Sequence, residues 1–188
     1  MFELSISNED EVHRSTYTLP DGTVLLKTET PRALGSRTTS ILKLLPSDIP
    51  GQDGGARYGI IAGIDWKSGL NPHMIRYGGQ ELEANELLKK EGSGMKWNDM
   101  GRDRVFTAPN GKKYRWKLQT ESSKLVSYED KEQIVAQSHR RKWGVFHKKS
   151  PAKLEIMPEG EDMLDLVLVT FVYIEKIRKE TETAVATA

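Results

Sequence analysis

The sequence predicts a mainly β (α+β) domain, an antiparallel β-barrel that encloses one hydrophobic C-terminal helix, and two observations support this fold class. Most of the chain alternates apolar and polar residues in short segments separated by Gly, Pro, Asn or Asp, a pattern typical of strands and turns. Residues 162–180, DMLDLVLVTFVYIEKIRKE, form the one long apolar stretch. Because a strand-rich chain must bury such a stretch, we expect a curved sheet to surround it.

The period-two pattern predicts roughly twelve strands. Pro-Asx-Gly turns at residues 19–23 and 108–112 predict tight reversals, since Gly supplies the positive φ that such turns need. Residues 78–92, GGQELEANELLKKEG, fit either a helix or an edge strand. The expected strands are residues 2–6, 14–19, 24–28, 39–45, 58–67, 74–77, 104–107, 113–119, 124–128, 134–139, 142–147 and 153–157.

The apolar stretch could be a membrane span, a strand buried on both faces or a buried helix. Its uninterrupted core, residues 166–174, is shorter than the roughly 20 residues that a membrane helix needs. The whole stretch is longer than most strands. Acidic residues gather at its start and basic residues at its end, as the helix dipole favours. The sequence therefore predicts a buried helix with Asp162 as N-cap, a single domain over residues 1–180, and a disordered tail over residues 181–188.

Composition excludes several classes of protein. The 188 residues include 28 Lys plus Arg and 27 Asp plus Glu, so net charge indicates no particular partner. The chain has no cysteine, which rules out disulfides and thiolate chemistry. Met1-Phe-Glu-Leu lacks the basic and apolar regions of a signal peptide. We expect a cytoplasmic protein with no transmembrane span.

Two clusters of basic residues interleaved with aromatic residues are the candidate binding sites for an anion or a lipid headgroup. On a strand, the basic residues of the first cluster share the face opposite Tyr114 and Trp116. A solvated outer face with aromatic side chains in the core explains the same pattern, so that alternative stays open. The candidates are Lys112, Lys113, Arg115 and Lys117 in the first cluster, and Arg140, Arg141 and Lys142 in the second.

Signals for catalysis, a metal or a cofactor are weak. His13, His73, His139 and His147 are scattered and show no metal-ligand spacing. Asp65, at the end of an apolar strand, is either a hydrogen-bond acceptor or, if buried, a general base. The sequence thus predicts no cofactor, no metal and no catalytic residue.

Four segments in order resemble an uncharacterised domain family of mushroom-forming (basidiomycete) fungi: TETPR from residue 28, DW from 65, VFTAPNGKKYRWK from 105 and LDLVLVTFVYIEKIRKE from 164. That family is similar in layout to the tubby-like fold shared with phospholipid scramblases and plant LURP-one-related proteins. The resemblance implies a barrel of roughly twelve strands around a C-terminal helix. Tubby domains imply phosphoinositide binding through basic surface residues, and the resemblance carries over no catalytic residue.

The favoured function is a non-enzymatic binding module for anionic lipid headgroups, such as phosphoinositides, or for a protein partner. The alternative is a small enzyme or small-molecule carrier with a pocket at the barrel end or under loops 46–57 and 91–102. A self-recognition scaffold, with an exposed apolar patch, is a third possibility. A nucleic-acid partner is not favoured, because the charge is balanced and no recognition motif is present.

Overall fold

The computed structural model describes residues 1–32, 35–46, 55–69, 71–92, 103–141 and 150–187. These residues form one 13-stranded antiparallel sheet and a long C-terminal helix, so the mainly β fold class is confirmed. The strands are β1 (Phe2–Ile6), β2 (Thr16–Thr18), β3 (Val24–Glu29), β4 (Arg37–Leu44), β5 (Tyr58–Trp66), β6 (Met74–Tyr77), β7 (Gln80–Glu83), β8 (Lys89–Glu91), β9 (Asp103–Thr107), β10 (Lys113–Leu118), β11 (Ser123–Ser127), β12 (Ile134–His139) and β13 (Ala152–Ile156). The helices are a 3-10 turn (Val12–Arg14), α1 (Ala84–Leu87), α2 (Pro158–Glu161) and α3 (Leu164–Ala186).

The strand order is β7-β6-β5-β4-β3-β2-β1-β13-β12-β11-β10-β9-β8. The chain therefore starts in the middle of the sheet, moves outward to one edge at β7, and crosses to the opposite edge at β8. From β8 it returns to the middle, where β13 pairs with β1 and Leu154 lies opposite Leu4. In the described residues β7 and β8 are not hydrogen-bonded to each other, so the predicted closure into a barrel is not confirmed. Helix α1 lies between these two edges and contacts β6, β7, β8 and β9.

Helix α3 occupies the core, as the apolar stretch predicts. Every residue from Leu166 to Ile174 is at most 3% exposed, so protein covers the helix in all directions. The helix contacts β5 on one arm of the sheet and β10 and β11 on the other. Phe171 packs between Tyr17 and Trp116, with ring centroids 6.3 and 6.0 Å away. The sheet therefore curves around the helix.

The helix boundaries differ from the prediction at both ends. Asp162 is not the N-cap of α3; it follows the short helix α2, which begins at Pro158, and α3 starts at Leu164. At the other end α3 runs to Ala186, through the segment expected to be disordered. Within this extension, Glu182 pairs with Arg140 at 2.5 Å and so connects the helix to the residue after β12.

The segment 78–92, for which helix and edge strand were alternatives, contains both. It forms β7, the single turn α1 and β8. Gly78 and Gly79 have φ of 58° and 76° and make the tight turn between β6 and β7. The two predicted Pro-Asx-Gly turns are confirmed, with Gly22 and Gly111 at positive φ. The strand predicted at 142–147 lies outside the described residues.

No helix formed by the described residues combines the length and the apolar composition needed to cross a bilayer.

Candidate anion-binding site

The first basic cluster runs along β10, and Arg140 of the second cluster lies beyond the C-terminal end of this strand. Lys113 begins this strand, whereas Arg140 donates to the carbonyl of Thr120, two residues beyond its other end. Seven residues of extended chain separate the two points by roughly 20 Å. Lys113 therefore lies far from the Arg140 guanidinium, and each cluster is described by its own contacts.

The first cluster borders a cleft of about 470 Å³ on the outer face of the sheet. Val105 and Thr107 of β9 form part of its floor, and their partners across the sheet are Lys89 on β8 and Lys113 on β10. The full lining is Leu82, Glu86, Leu87, Lys89, Lys90, Glu91, Val105, Phe106, Thr107, Lys113 and Tyr128. Because three lysines line it, we call it the lysine cleft.

The three lysines of the cleft form no ion pair with a carboxylate in the described part of the chain. Lys89, Lys90 and Lys113 are all exposed, and none forms an ion pair with any described residue. Lys113 has an aromatic neighbour, with its Nζ 5.9 Å from the centroid of the Tyr128 ring. Their ammonium groups are therefore available to an anion that enters the cleft.

Arg115, one strand position beyond the cleft, is by contrast neutralised. Its guanidinium pairs with Glu91 at 2.6 Å and Glu132 at 3.3 Å, and it lies 4.5 Å from the centroid of the Tyr128 ring. The Tyr128 hydroxyl donates to Glu91 at 2.6 Å. This bond, followed by the one from Arg115, lowers the pKa of Glu91. Burial alone would lower the pKa of Arg115, but its bonds to Glu91 raise it, so both groups stay charged.

The remaining predicted residues are held by acidic partners or lie elsewhere. Lys112 pairs with Glu159 at 3.2 Å, and Lys117 pairs with Glu132 at 2.5 Å. Arg140 binds Glu182 of α3, and the Arg141 backbone N–H donates to Glu9 at 2.8 Å. Lys142 lies outside the described residues. The alternation on β10 is confirmed, because Tyr114, Trp116 and Leu118 are buried while Lys113, Arg115 and Lys117 face outward.

The sequence of the chain matches the model of one protein family. The model of DUF6593, a family of unknown function, matches residues 10–180. The chain belongs to this family. No curated protein and no solved structure matches the chain. Membership of an uncharacterised family is thus confirmed, while the fungal origin and the likeness to the tubby fold stay predictions.

The histidines of this DUF6593 chain have separate environments. His13 lies in a cleft of about 500 Å³ beside the end of α3, and burial, followed by the charges of Lys176 and Arg14, lowers its pKa to about 4. His73 packs edge-on against Trp66, and burial lowers its pKa as well. His139 pairs with Glu155 at 2.8 Å, and His147 lies outside the described residues. No three His, Asp or Glu side chains of the described ranges form a group that could hold a metal ion.

Asp65 acts as a hydrogen-bond acceptor in the structure. Thr38 donates to it at 2.6 Å, and Arg76 pairs with it through two bonds of 2.7 and 3.0 Å. Burial would raise the pKa of Asp65, but these donors outweigh burial and lower it. A carboxylate held in this way is a poor general base, since its proton affinity is reduced.

The enzyme or carrier alternative needs a small-molecule pocket at the end of the sheet or under the two long loops. The space that the sheet encloses is filled by α3, and residues 47–54 and 93–102 of the two loops lie outside the described residues. At the end of the sheet, the cleft beside His13 also contains Arg14, Arg37 and Lys176. The cleft beside His13 is the candidate for the pocket that the enzyme or carrier alternative expects at the end of the sheet.

Sequence reasoning identified Lys113 but missed Lys89 and Lys90. The signal was present as the Lys-Lys pair in ELLKKEG. Because the segment fits either a helix or an edge strand, the sequence did not indicate which way the two lysines face. The position of Lys89 beside Lys113 depends on the pairing of β8 with β9, which joins segments more than ten residues apart and which no local pattern indicates.

Proposed function

We propose that this DUF6593 protein is a non-enzymatic module that binds phosphate-bearing lipid headgroups, such as those of phosphoinositides, in the lysine cleft. One observation carries the proposal: Lys89, Lys90 and Lys113 line a single cleft and form no ion pair with a carboxylate of the described residues. Lysine ammonium groups are compact point charges with three rotatable donors, and they suit phosphate oxygens that approach from several directions.

The remaining lining of the cleft supports a lipid rather than a bare anion. Tyr128 is 39% exposed and stands beside Lys113, where an amphipathic ring can contact the interface between headgroup and acyl chain. Leu82 and Leu87 add partly buried apolar surface on the opposite side. The sequence resemblance to the tubby-like layout, whose domains bind phosphoinositides, points to the same ligand class.

The test is sedimentation with phosphatidylcholine vesicles that carry a few per cent of a phosphatidylinositol bisphosphate. We expect the protein to bind these vesicles at low salt and to release them as salt rises. The triple change Lys89→Ala, Lys90→Ala and Lys113→Ala should weaken binding roughly 100-fold, because each lysine near an anionic surface contributes about 1 kcal/mol.

The matched control removes three lysines elsewhere: Lys67→Ala, Lys124→Ala and Lys131→Ala. It makes the same change in net charge and should bind almost as well as the unchanged protein. If both triple variants lost vesicle binding equally, binding would depend on overall charge alone, and the proposal of a defined site would be wrong. Calorimetry with soluble inositol phosphate shows whether the headgroup alone suffices or whether the bilayer is needed.

A further inference from the structure

One stretch of the sheet has an open edge that is unlike the others. Strand β5 pairs with β6 only from Ala62 to Asp65, because the β6–β7 turn at Gly78 carries the chain away. Residues 58–61 of β5 pair with β4 on one side, and no described strand pairs with their other side. Backbone groups along this edge are therefore available to another strand.

The open edge of β5 carries an exposed apolar side chain. Ile60 is 70% exposed, and a β-bulge at Ile61 interrupts the register next to it. Tyr58 does not cover Ile60, because its hydroxyl donates to the Val24 carbonyl at 2.9 Å and Lys27 lies over its ring. Beside Ile60 lies a cleft of about 510 Å³ that includes Tyr77 and the Gly78 turn.

The open edge of β5 differs in charge from the outer edges of β7 and β8. The outer edge of β7 carries Glu81 and Glu83, and that of β8 carries Lys89 and Lys90. Identical copies of either edge would repel one another, which is how natural sheets prevent edge-to-edge association. Residues 58–61, Tyr-Gly-Ile-Ile, contain no charge and no proline. Among the described residues, this edge therefore lacks the charge that protects the edges of β7 and β8.

We propose that the β5 edge is a self-association surface, at which residues 59–61 pair antiparallel with the same residues of a second copy. A two-fold axis beside Ile60 places the two Ile60 side chains opposite each other on the same face, where an aliphatic cross-strand pair is stabilising. Any other partner has to supply its own uncharged strand, whereas a second copy already has one. Because the edge is short, the dimer is weak and depends on protein concentration.

Analytical ultracentrifugation up to several hundred micromolar tests the proposal. The mass of the unchanged protein should rise toward twice that of the monomer, and Ile60→Lys should remain monomeric at every concentration. Ile134→Lys is the matched control, since Ile134 is 43% exposed but lies on β12, which has a partner strand on both sides. A protein that stays monomeric, or an Ile60→Lys variant that associates equally well, overturns the proposal.

Disulfide formation between two copies tests whether the Ile60 positions lie opposite each other. The chain has no cysteine, so Ile60→Cys introduces one thiol. Residues opposite each other in an antiparallel pair have Cβ atoms about 4.5–5.5 Å apart, close enough for a disulfide after a small adjustment. Ile60→Cys should form a covalent dimer under mild oxidation at least about tenfold faster than Ile134→Cys, whose thiol is exposed but unpaired across copies. Equal rates in the two variants overturn the paired arrangement.

Discussion

Arg178 is the residue whose position is hardest to reconcile with its chemistry, because its side chain is fully buried. Its Nε lies 3.1 Å from each carboxylate oxygen of Glu175, and its Nη1 donates to the Thr120 carbonyl at 2.8 Å. Burial alone would lower the pKa of Arg178, but the bonds to Glu175 raise it, so the guanidinium keeps its charge. Ser123 donates to Glu175 at 2.7 Å. Arg178 and Glu175 therefore connect the C-terminal half of α3 to the β10–β11 turn through Thr120 and Ser123.

Replacing Arg178 with Met should destabilise the protein by about 3–5 kcal/mol, because Glu175 would remain as an uncompensated buried charge. Urea denaturation measures this change. The double change Arg178→Met with Glu175→Leu should recover much of the loss, since no buried charge remains. Arg37→Met, at an exposed position, serves as the control and should cost no more than about 0.5 kcal/mol. An Arg178→Met loss as small as this control would show that the pair contributes little.

Helix α3 illustrates what can be predicted for a single element. Its central residues could be recognised because a run apolar in every direction needs protein on all sides, and this depends only on composition. The ends of α3 could not be predicted from the sequence, because they depend on contacts with distant segments. In the extension to Ala186, Glu182 pairs with Arg140, and no residue near position 182 indicates that Arg140 lies beside it.

Phe171→Ala should cost about 3–5 kcal/mol of unfolding free energy, because it leaves a cavity between Tyr17 and Trp116 at the centre of the core. Val185→Ala on the same helix is the control, since Val185 is 53% exposed and the change should be nearly neutral. Thermal unfolding followed by circular dichroism compares the two variants. Similar midpoints would mean that α3 is not the centre of the folded core.

In the described residues of the molecule, two arms of one sheet share helix α3. The strands of each arm could be predicted from alternation, and so could the tight turns. The pairing of β1 with β13 could not, because it joins residues about 150 positions apart and both strands have the same local pattern as their neighbours. The lysine cleft was partly missed for the same reason.

Because α3 contacts β5 in one arm and β10 and β11 in the other, the two arms should unfold together. Native-state hydrogen exchange measures this property strand by strand. The slowest amides of β4 and β5 should exchange with the same free energy of opening as those of β10 and β11. Exchange that is many times faster throughout one arm would show that the arms are independent units.

In the described part of the chain α3 follows the thirteen strands, and this position also determines when the sheet can pack around it. While the strands are being synthesised, their apolar inner faces have nothing to pack against, because the helix that fills the space has not yet been made. The sheet can therefore reach its folded packing only once α3 has been synthesised, however early its strands are complete.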